Sequence, residues 1–433
     1  MTLVTSARRW PIGTHRLAKA AVLGLAVVLL VGQPIARAQT AAATTNNHTI
    51  SSNTKTRVLI HVQQILQKYA FVPGVDFETL PNILKAEQER IDKASTDMEF
   101  TIAVNSALRK YGISHINLFT PNFGEQRKTQ QKPGLGIRLE DTPKGMVITQ
   151  IVKGGAAEEA GMHVGDLILT CDGRPVKTVD DLAGEDGQKS SVVVRRSDGK
   201  NDKEISFEVT RHPFSLVIPE KIQWKGDTAI VTIPSFDNAY DRENVDKIMT
   251  EALKAKSLVL DLRSNGGGRV TNLLHLAGYF IPSDQAIGKW VSKQTVINYE
   301  KTHPKTTDVA KLAESSQQEV NPLRPEAGMY KGPVAVLING GTGSASEMMA
   351  AALVELRGAE TFGTKSAGAV LASIMREIDG GEGFWIQYPL FDYVTIQGMH
   401  LEGKGLKPNV ERPTPRFGEA DSGLEAALNW LNT

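Results

Sequence analysis

Two short segments hold residue types suited to acyl transfer. The first, Gly340-Gly341-Thr342-Gly343-Ser344-Ala345-Ser346-Glu347, joins an apolar run at 334–338 to an alanine-rich stretch of helical spacing. A serine at such a junction stands at a helix N-terminus, where unpaired N–H groups can stabilise a developing oxyanion. The logic is that of a nucleophile elbow, although Gly-x-Ser-x-Gly is absent. Taken alone, Ser344 or Ser346 reads more simply as a helix cap. The second segment, Asp261-Leu262-Arg263-Ser264-Asn265-Gly266-Gly267-Gly268, follows another apolar run and suits a tight turn with outward N–H groups. A nucleotide-phosphate loop would need Gly-x-Gly-x-x-Gly or a following Lys-Ser/Thr, and neither is present. A serine nucleophile needs a base. The nine histidines fall in no metal-ligand spacing, so no metal and no other cofactor is expected. The one cysteine, Cys171, allows neither an intramolecular disulfide nor a cysteine metal site, and reads as a buried thiol.

Both segments require an α/β scaffold. Buried-type strands are expected at 229–233, 257–262 and 334–338, with helices after the last two at 270–280 and 345–356. The polar stretch 292–330 reads as an insertion or a surface excursion. Ahead of this core, residues 56–125 show helical periodicity: Val58, Leu59, Val62, Ile65, Leu66 and Tyr69 form one stripe, and Phe100, Ala103, Val104, Ala107, Leu108 and Tyr111 a second. Gly112 suits a helix end, which leaves Ser114 and His115 in the loop beyond it. Residues 125–133 read as a linker.

Residues 130–212 show short strands and glycine-rich turns, the pattern of a small β-rich domain. Gly134-Leu135-Gly136-Ile137, with Ala160-Gly161-Met162-His163-Val164-Gly165-Asp166-Leu167-Ile168, resembles a PDZ domain. The resemblance implies that Leu135, Gly136 and Ile137 form a loop whose N–H groups take a peptide's terminal carboxylate, the tail adding as a strand to a sheet edge. Apolar side chains would shape a pocket for a nonpolar terminal residue. The bland alternative is a structural module whose glycines only make turns, with Asp166 as a turn and capping residue.

Asp-Leu-Arg-x-Asn-x-Gly-Gly followed by x-Ser-Ala-Ser-Glu closely resembles the carboxyl-terminal processing (tail-specific) serine peptidases, S41-type enzymes with an embedded PDZ domain. Their broader clan includes tricorn protease. The resemblance spans roughly residues 56–410. It implies a multi-domain α/β fold: an N-terminal helical region, the β-rich PDZ domain, and a crotonase/ClpP-like peptidase core over 213–433. It makes Ser344 the nucleophile, with the Ala345 N–H and a glycine N–H from Gly266 or Gly267 as oxyanion hole. The lysine-type members carry a basic lysine after Phe-Gly and then a helper glutamine. Here those positions hold Ala369 and Ser373, and Lys365 serves only if the preceding strand is shortened. The tricorn-like pattern is a Ser-His pair after the helical region plus a distant glutamate. Ser114-His115 and Glu402 match it, the last standing where lysine-type members carry glutamine. The expected set is Ser344, His115 as base, Glu402 to orient the imidazole and Ser114 to support the acid end, with Lys365 as the alternative base.

The remaining bulk features fit an exported enzyme. Hydrophobic residues make up 41% and charged residues 22% of the 433, and the net charge of +1 gives no pull toward nucleic acid. Arg8, Arg9, His15, Arg16 and Lys19 precede an apolar run at 20–31 and Ala36-Arg37-Ala38, the order of a cleavable signal peptide over 1–38. An uncleaved anchor is the other reading, although the run is short for a membrane span. Residues 39–55 form an Ala/Thr/Asn-rich leader. The expected partners are protein or peptide substrates with nonpolar C-termini. Self-association is left open. A catalytically inactive peptide-binding protein on the same scaffold is the competing function.

Overall fold

The computed structural model describes residues 48–197 and 201–433. The signal-peptide segment and most of the leader lie outside the described residues. The leader ends earlier than expected, because Ser51 accepts a hydrogen bond from Thr54 N at 3.0 Å and starts the helix Ser52–Tyr69. That helix buries Val58, Val62, Ile65 and Leu66. The helix Asp97–Leu108 opens with a capping box between Thr96 and Glu99 and buries Phe100, Ala103, Val104, Ala107 and Leu108. Both apolar stripes share one core with Ile116, Leu118, Phe384, Ile386 and Tyr388. The N-terminal helices are thus packed onto a C-terminal sheet. The stretch 125–133 is no linker. It holds the end of the helix Pro121–Thr129 and the strand Gln131–Gly134. The overlooked signal is proline at the first helical position, and Arg127 ties this helix to Asp237 at 2.9 and 3.2 Å.

In the β-rich domain five antiparallel strands follow the order Ile137–Thr142, Gly145–Ile151, Leu167–Cys171, Lys189–Ser197, Asp202–Thr210. Val–Ile–Leu alternation buries one face around Ile148, Ile168, Val192 and Val194. The strand Ile137–Thr142 is an edge. Gln131–Gly134 pairs with His212–Ser215, so chain entry and exit meet.

The core sheet runs Lys221–Lys225, Thr228–Thr232, Ser257–Asp261, Val334–Ile338, Glu360–Gly363, Val410–Glu411, parallel from the second strand on. The central strands Thr228–Thr232, Ser257–Asp261 and Val334–Ile338 read as apolar runs because both faces are covered. The helices Arg242–Ala252, Val270–Gly278 and Ala345–Arg357 share the larger core, and Ser422–Leu431 packs on the opposite face. The two motif segments leave the carboxyl ends of neighbouring strands, with Asp261 in register with Leu337. That is where open α/β sheets form their clefts.

A second sheet brings in the distant residues. Asn117–Phe119 pairs antiparallel with Trp385–Thr395, which also pairs with Ala372–Glu377 and Gly288–Val291. His115 therefore enters from one side of this sheet, and Glu402 follows its longest strand. The stretch 292–330 is more than a surface excursion. Its helices Lys293–Tyr299 and Val309–Glu314 build a small core of Val291, Val309, Leu312, Ala313 and Val394. Its apolar residues are too sparse to stand out in sequence.

Candidate active site

The nucleophile turn is held from both strand ends. Asn339 Oδ1 accepts from Ser264 N at 2.8 Å and Gly341 N at 2.9 Å, and Thr342 Oγ1 donates to Leu262 O at 2.9 Å. Gly343 N donates to Asn265 O at 3.0 Å. The turn forces Ser344 to φ 55° and ψ −122°. A non-glycine residue there stores strain of order 1–3 kcal/mol, which clusters at functional sites. Ser344 is 1% exposed, and its Oγ has no hydrogen-bond partner. Ser344 stands at the N-cap in capping-box order with Glu347, whose carboxylate accepts from Ser344 N at 3.1 Å. Gly267, at φ 98°, lies so close that a Cβ on it would stand 2.6 Å from Ser344 Cβ.

The glycine turn owes its shape to Arg263 and Asn265. Arg263 donates to Asp261 at 2.9 and 2.7 Å and to Asp421 at 3.0 Å, and these two carboxylates push its pKa further up despite burial. Asn265 is fully buried; it donates to Ile233 O at 2.8 Å and accepts from Gly267 N at 2.9 Å. Gly267 N is thus engaged by its own turn, which corrects its expected place as a free oxyanion donor. Gly266 N and Ala345 N remain the candidates. Ala345 opens its helix, where no intrahelical acceptor exists.

On the base side, His115 sits at φ 55° and is 3% exposed. Its Nδ1 lies 2.7 Å from Ser114 Oγ. Ser114 Oγ donates to Glu402 Oε2 at 2.9 Å, and Ser114 N donates to Glu402 Oε1 at 2.8 Å. Glu402 therefore does not touch the imidazole as expected; Ser114 stands between them. A hydroxyl has one proton to give. With that proton donated in the hydrogen bond to Glu402, Ser114 Oγ accepts from His115 Nδ1–H, and Nε2 is left as the proton acceptor. Nε2 is buried and without a partner, as is Ser344 Oγ, so the two are not hydrogen-bonded to each other here. Catalytic bonds of unliganded enzymes often close only with substrate bound.

Burial pushes the His115 pKa down to about 4. Burial also raises the Glu402 pKa, opposed by hydrogen bonds from Ser114 and Val370. The depressed histidine gives a signed expectation. The neutral, proton-accepting imidazole persists well below the usual histidine range, so kcat/KM should hold at pH 5.5. Stability moves the other way. The unfolded chain takes up a proton near 6.5 that the folded chain resists until about 4, so stability is lost as pH falls through that window. A pH profile of kcat/KM with an acid limb at 6.5 or above would contradict the buried base.

Lys365 lies on the surface, unlike the buried Ser344. Ala369 and Ser373 are buried, the latter accepting from Gln387 Nε2 at 2.9 Å. Two residues of the site were not singled out from sequence: Asn265 and Glu347. For Glu347 the signal was there, since Ser-x-x-Glu ahead of a helix is capping-box spacing. In the β-rich domain, Leu135 O accepts from Ala157 N and Gly136 O from Val152 N, both at 2.8 Å. Across planar trans peptides, Gly136 N–H and Ile137 N–H then face the opposite way. The Leu135 side chain is 3% exposed and packs in the domain core. Asp166 pairs with Arg196 and caps His163 N, and Cys171 is buried with its pKa raised. Among the described residues no group of His, Cys, Asp and Glu is arranged to hold a metal ion.

Residues 227–412 match the family model for Peptidase family S41, and residues 133–211 match that of a PDZ domain. The chain carries a peptidase family S41 domain. The serine turn, the glycine turn and Glu402 lie within that match, whereas Asp421, His115 and Ser114 lie outside it. The chain is 27% identical over 291 residues to the "Probable CtpA-like serine protease" of Staphylococcus aureus (strain N315), covering 66% of this chain and 53% of that protein. The Staphylococcus haemolyticus (strain JCSC1435) protein of that name is 26% identical over the same length. The chain thus spans about half the length of the curated relatives it matches. The fold also resembles that of a solved Bacteroides fragilis structure, with TM-score 0.55 and 19% identity, covering 86% of this chain and 97% of that one. Mature CPAF complexed with lactacystin gives TM-score 0.54 and 14% identity, covering 88% and 98%. At these identities the likeness is one of fold.

Proposed function

We propose that this chain is a serine endopeptidase that hydrolyses unfolded proteins or their C-terminal tails through an acyl-enzyme. The observation carrying the reading is a pair of buried, unpartnered atoms, Ser344 Oγ and His115 Nε2, each oriented by its own hydrogen-bonded support. Ser344 Oγ attacks the scissile carbonyl as His115 Nε2 takes its proton. The imidazolium is stabilised through Ser114 by the Glu402 carboxylate. The oxyanion forms against Ala345 N–H and Gly266 N–H. His115 then protonates the leaving amine, and water repeats the cycle on the acyl-serine. The N-terminal segment supports export as the setting. Hydrolysis of an unfolded casein-type substrate by the purified chain tests the activity against the inactive-binder alternative.

The PDZ domain is proposed to select tails. Gly136 N–H and Ile137 N–H would take the terminal carboxylate, and the tail would extend along the edge strand Ile137–Thr142. A charge-assisted hydrogen bond contributes roughly 1.5–3 kcal/mol, so amidating the substrate's C-terminus should weaken capture about ten- to a hundredfold. Replacing a terminal alanine by aspartate should also hurt, because a charge would enter an apolar pocket. Equal cleavage of free and amidated substrates would make the domain a structural insert.

A further inference from the structure

Glu347 is a buried carboxylate that the proposed chemistry does not consume. It is 0% exposed, one turn into the helix that Ser344 opens. Four donors converge on it. Ser366 Oγ reaches Oε1 at 2.5 Å and Gly368 N at 2.7 Å; Ala369 N reaches Oε2 at 2.9 Å and Ser344 N at 3.1 Å. Ser366 Oγ in turn accepts from Leu406 N at 2.6 Å, so its own proton is committed to Glu347. All four acceptor sites of a carboxylate are filled. Burial pushes the Glu347 pKa up and the hydrogen bonds pull it back. With every neighbour a donor, only the ionised form satisfies them all.

The next residue along this loop changes hands. Val370 N donates to Glu402 Oε2 at 2.8 Å, the oxygen that also accepts from Ser114 Oγ. Three consecutive N–H groups, of Gly368, Ala369 and Val370, thus hold two carboxylates, one fixing the serine turn and the other the Ser114–His115 pair. The loop is pinned from behind as well. Gly403 N donates to Gly368 O at 2.8 Å, and a Cβ on Gly368, at φ 72°, would meet Gly405 N at 2.8 Å. Where the lysine-type pattern places a basic side chain, at Ala369, this chain offers a backbone N–H.

We infer that Glu347 is a positioning residue that, through the 368–370 loop, sets the distance between Ser344 Oγ and His115 Nε2. The inference rests on the Ser344–His115–Glu402 reading and extends it. A rigid peptide triplet links the two halves, so losing either carboxylate frees the same loop. Misplacement by about 1 Å costs roughly a hundredfold in rate with little effect on ground-state binding.

The test uses the full chain and an unfolded peptide substrate. Glu347→Gln keeps shape but turns an amide NH₂ against two of the four donors. It should lower kcat about a hundredfold and leave KM within about threefold, with circular dichroism unchanged. Combined with Glu402→Gln, it should be no worse than the worse single variant, because both act through one loop. Ser366→Ala removes one donor and keeps the carboxylate; should Glu347→Gln not fold, this variant carries the test. It should lower kcat about three- to tenfold at unchanged KM. Wild-type kcat in a folded Glu347→Gln or Ser366→Ala variant, or losses that multiply with Glu402→Gln, would overturn the inference. Activity surviving in Ser344→Ala would instead overturn the underlying site assignment.

Discussion

Ser344→Ala should abolish hydrolysis, lowering kcat by about 10⁴–10⁶-fold, and leave the fold intact. The two parts follow from different observations. Catalysis is lost because Ser344 Oγ is the hydroxyl at the elbow, beside Ala345 N–H at the helix start. The fold is kept because that oxygen makes no hydrogen bond, so its removal leaves nothing unpaired. Thermal melting of the variant should match the wild type within about 0.5 kcal/mol. Ser344→Gly should melt no lower, since glycine accepts φ 55° without a Cβ penalty. A serine whose removal costs activity but no stability is placed for chemistry. A large drop in melting temperature would return Ser344 to the structural cap.

His115→Ala should be nearly as damaging as Ser344→Ala, and the double variant no worse than either. His115 Nε2 is the acceptor left by the tautomer that Ser114 imposes, and nothing else bonds to it. Lys365→Ala should retain activity within about twofold, as expected of an exposed side chain. Ser114→Ala should fall between them, since His115 Nδ1–H loses its acceptor while Nε2 survives. Steady-state kinetics on one unfolded substrate ranks these variants. Loss in Lys365→Ala with retention in His115→Ala would give the site to the lysine.

Much of this site was legible in the sequence because its parts sit on strongly patterned elements. The apolar runs 257–262 and 334–338 mark parallel strands, and their glycine-rich exits mark the cleft. The Ser114-His115 pair and Glu402 were legible by motif. Their actual order was not, because a serine between histidine and glutamate depends on side-chain geometry. Gly267 was misjudged for a similar reason: Asn265, two residues back, turns its oxygen onto Gly267 N, and nothing in the spacing reveals that choice. Glu347 was visible as capping-box spacing, but its grip on a loop about twenty residues downstream is a tertiary fact. The stretch 125–133 reads as a linker because polar residues obscure a helix started by Pro121 and tied to the core by Arg127 and Asp237.

The central claim is that Ser344 is a nucleophile activated by His115. A fluorophosphonate probe, which reacts only with activated serine hydroxyls, addresses it without any knowledge of the natural substrate. Labelled protein would be digested and the adduct located by mass spectrometry, in wild type, His115→Ala and Lys365→Ala. The account predicts one adduct, on Ser344, whose formation collapses in His115→Ala and continues at the wild-type rate in Lys365→Ala. An adduct on another serine, or labelling of Ser344 that survives His115→Ala and disappears in Lys365→Ala, would contradict it.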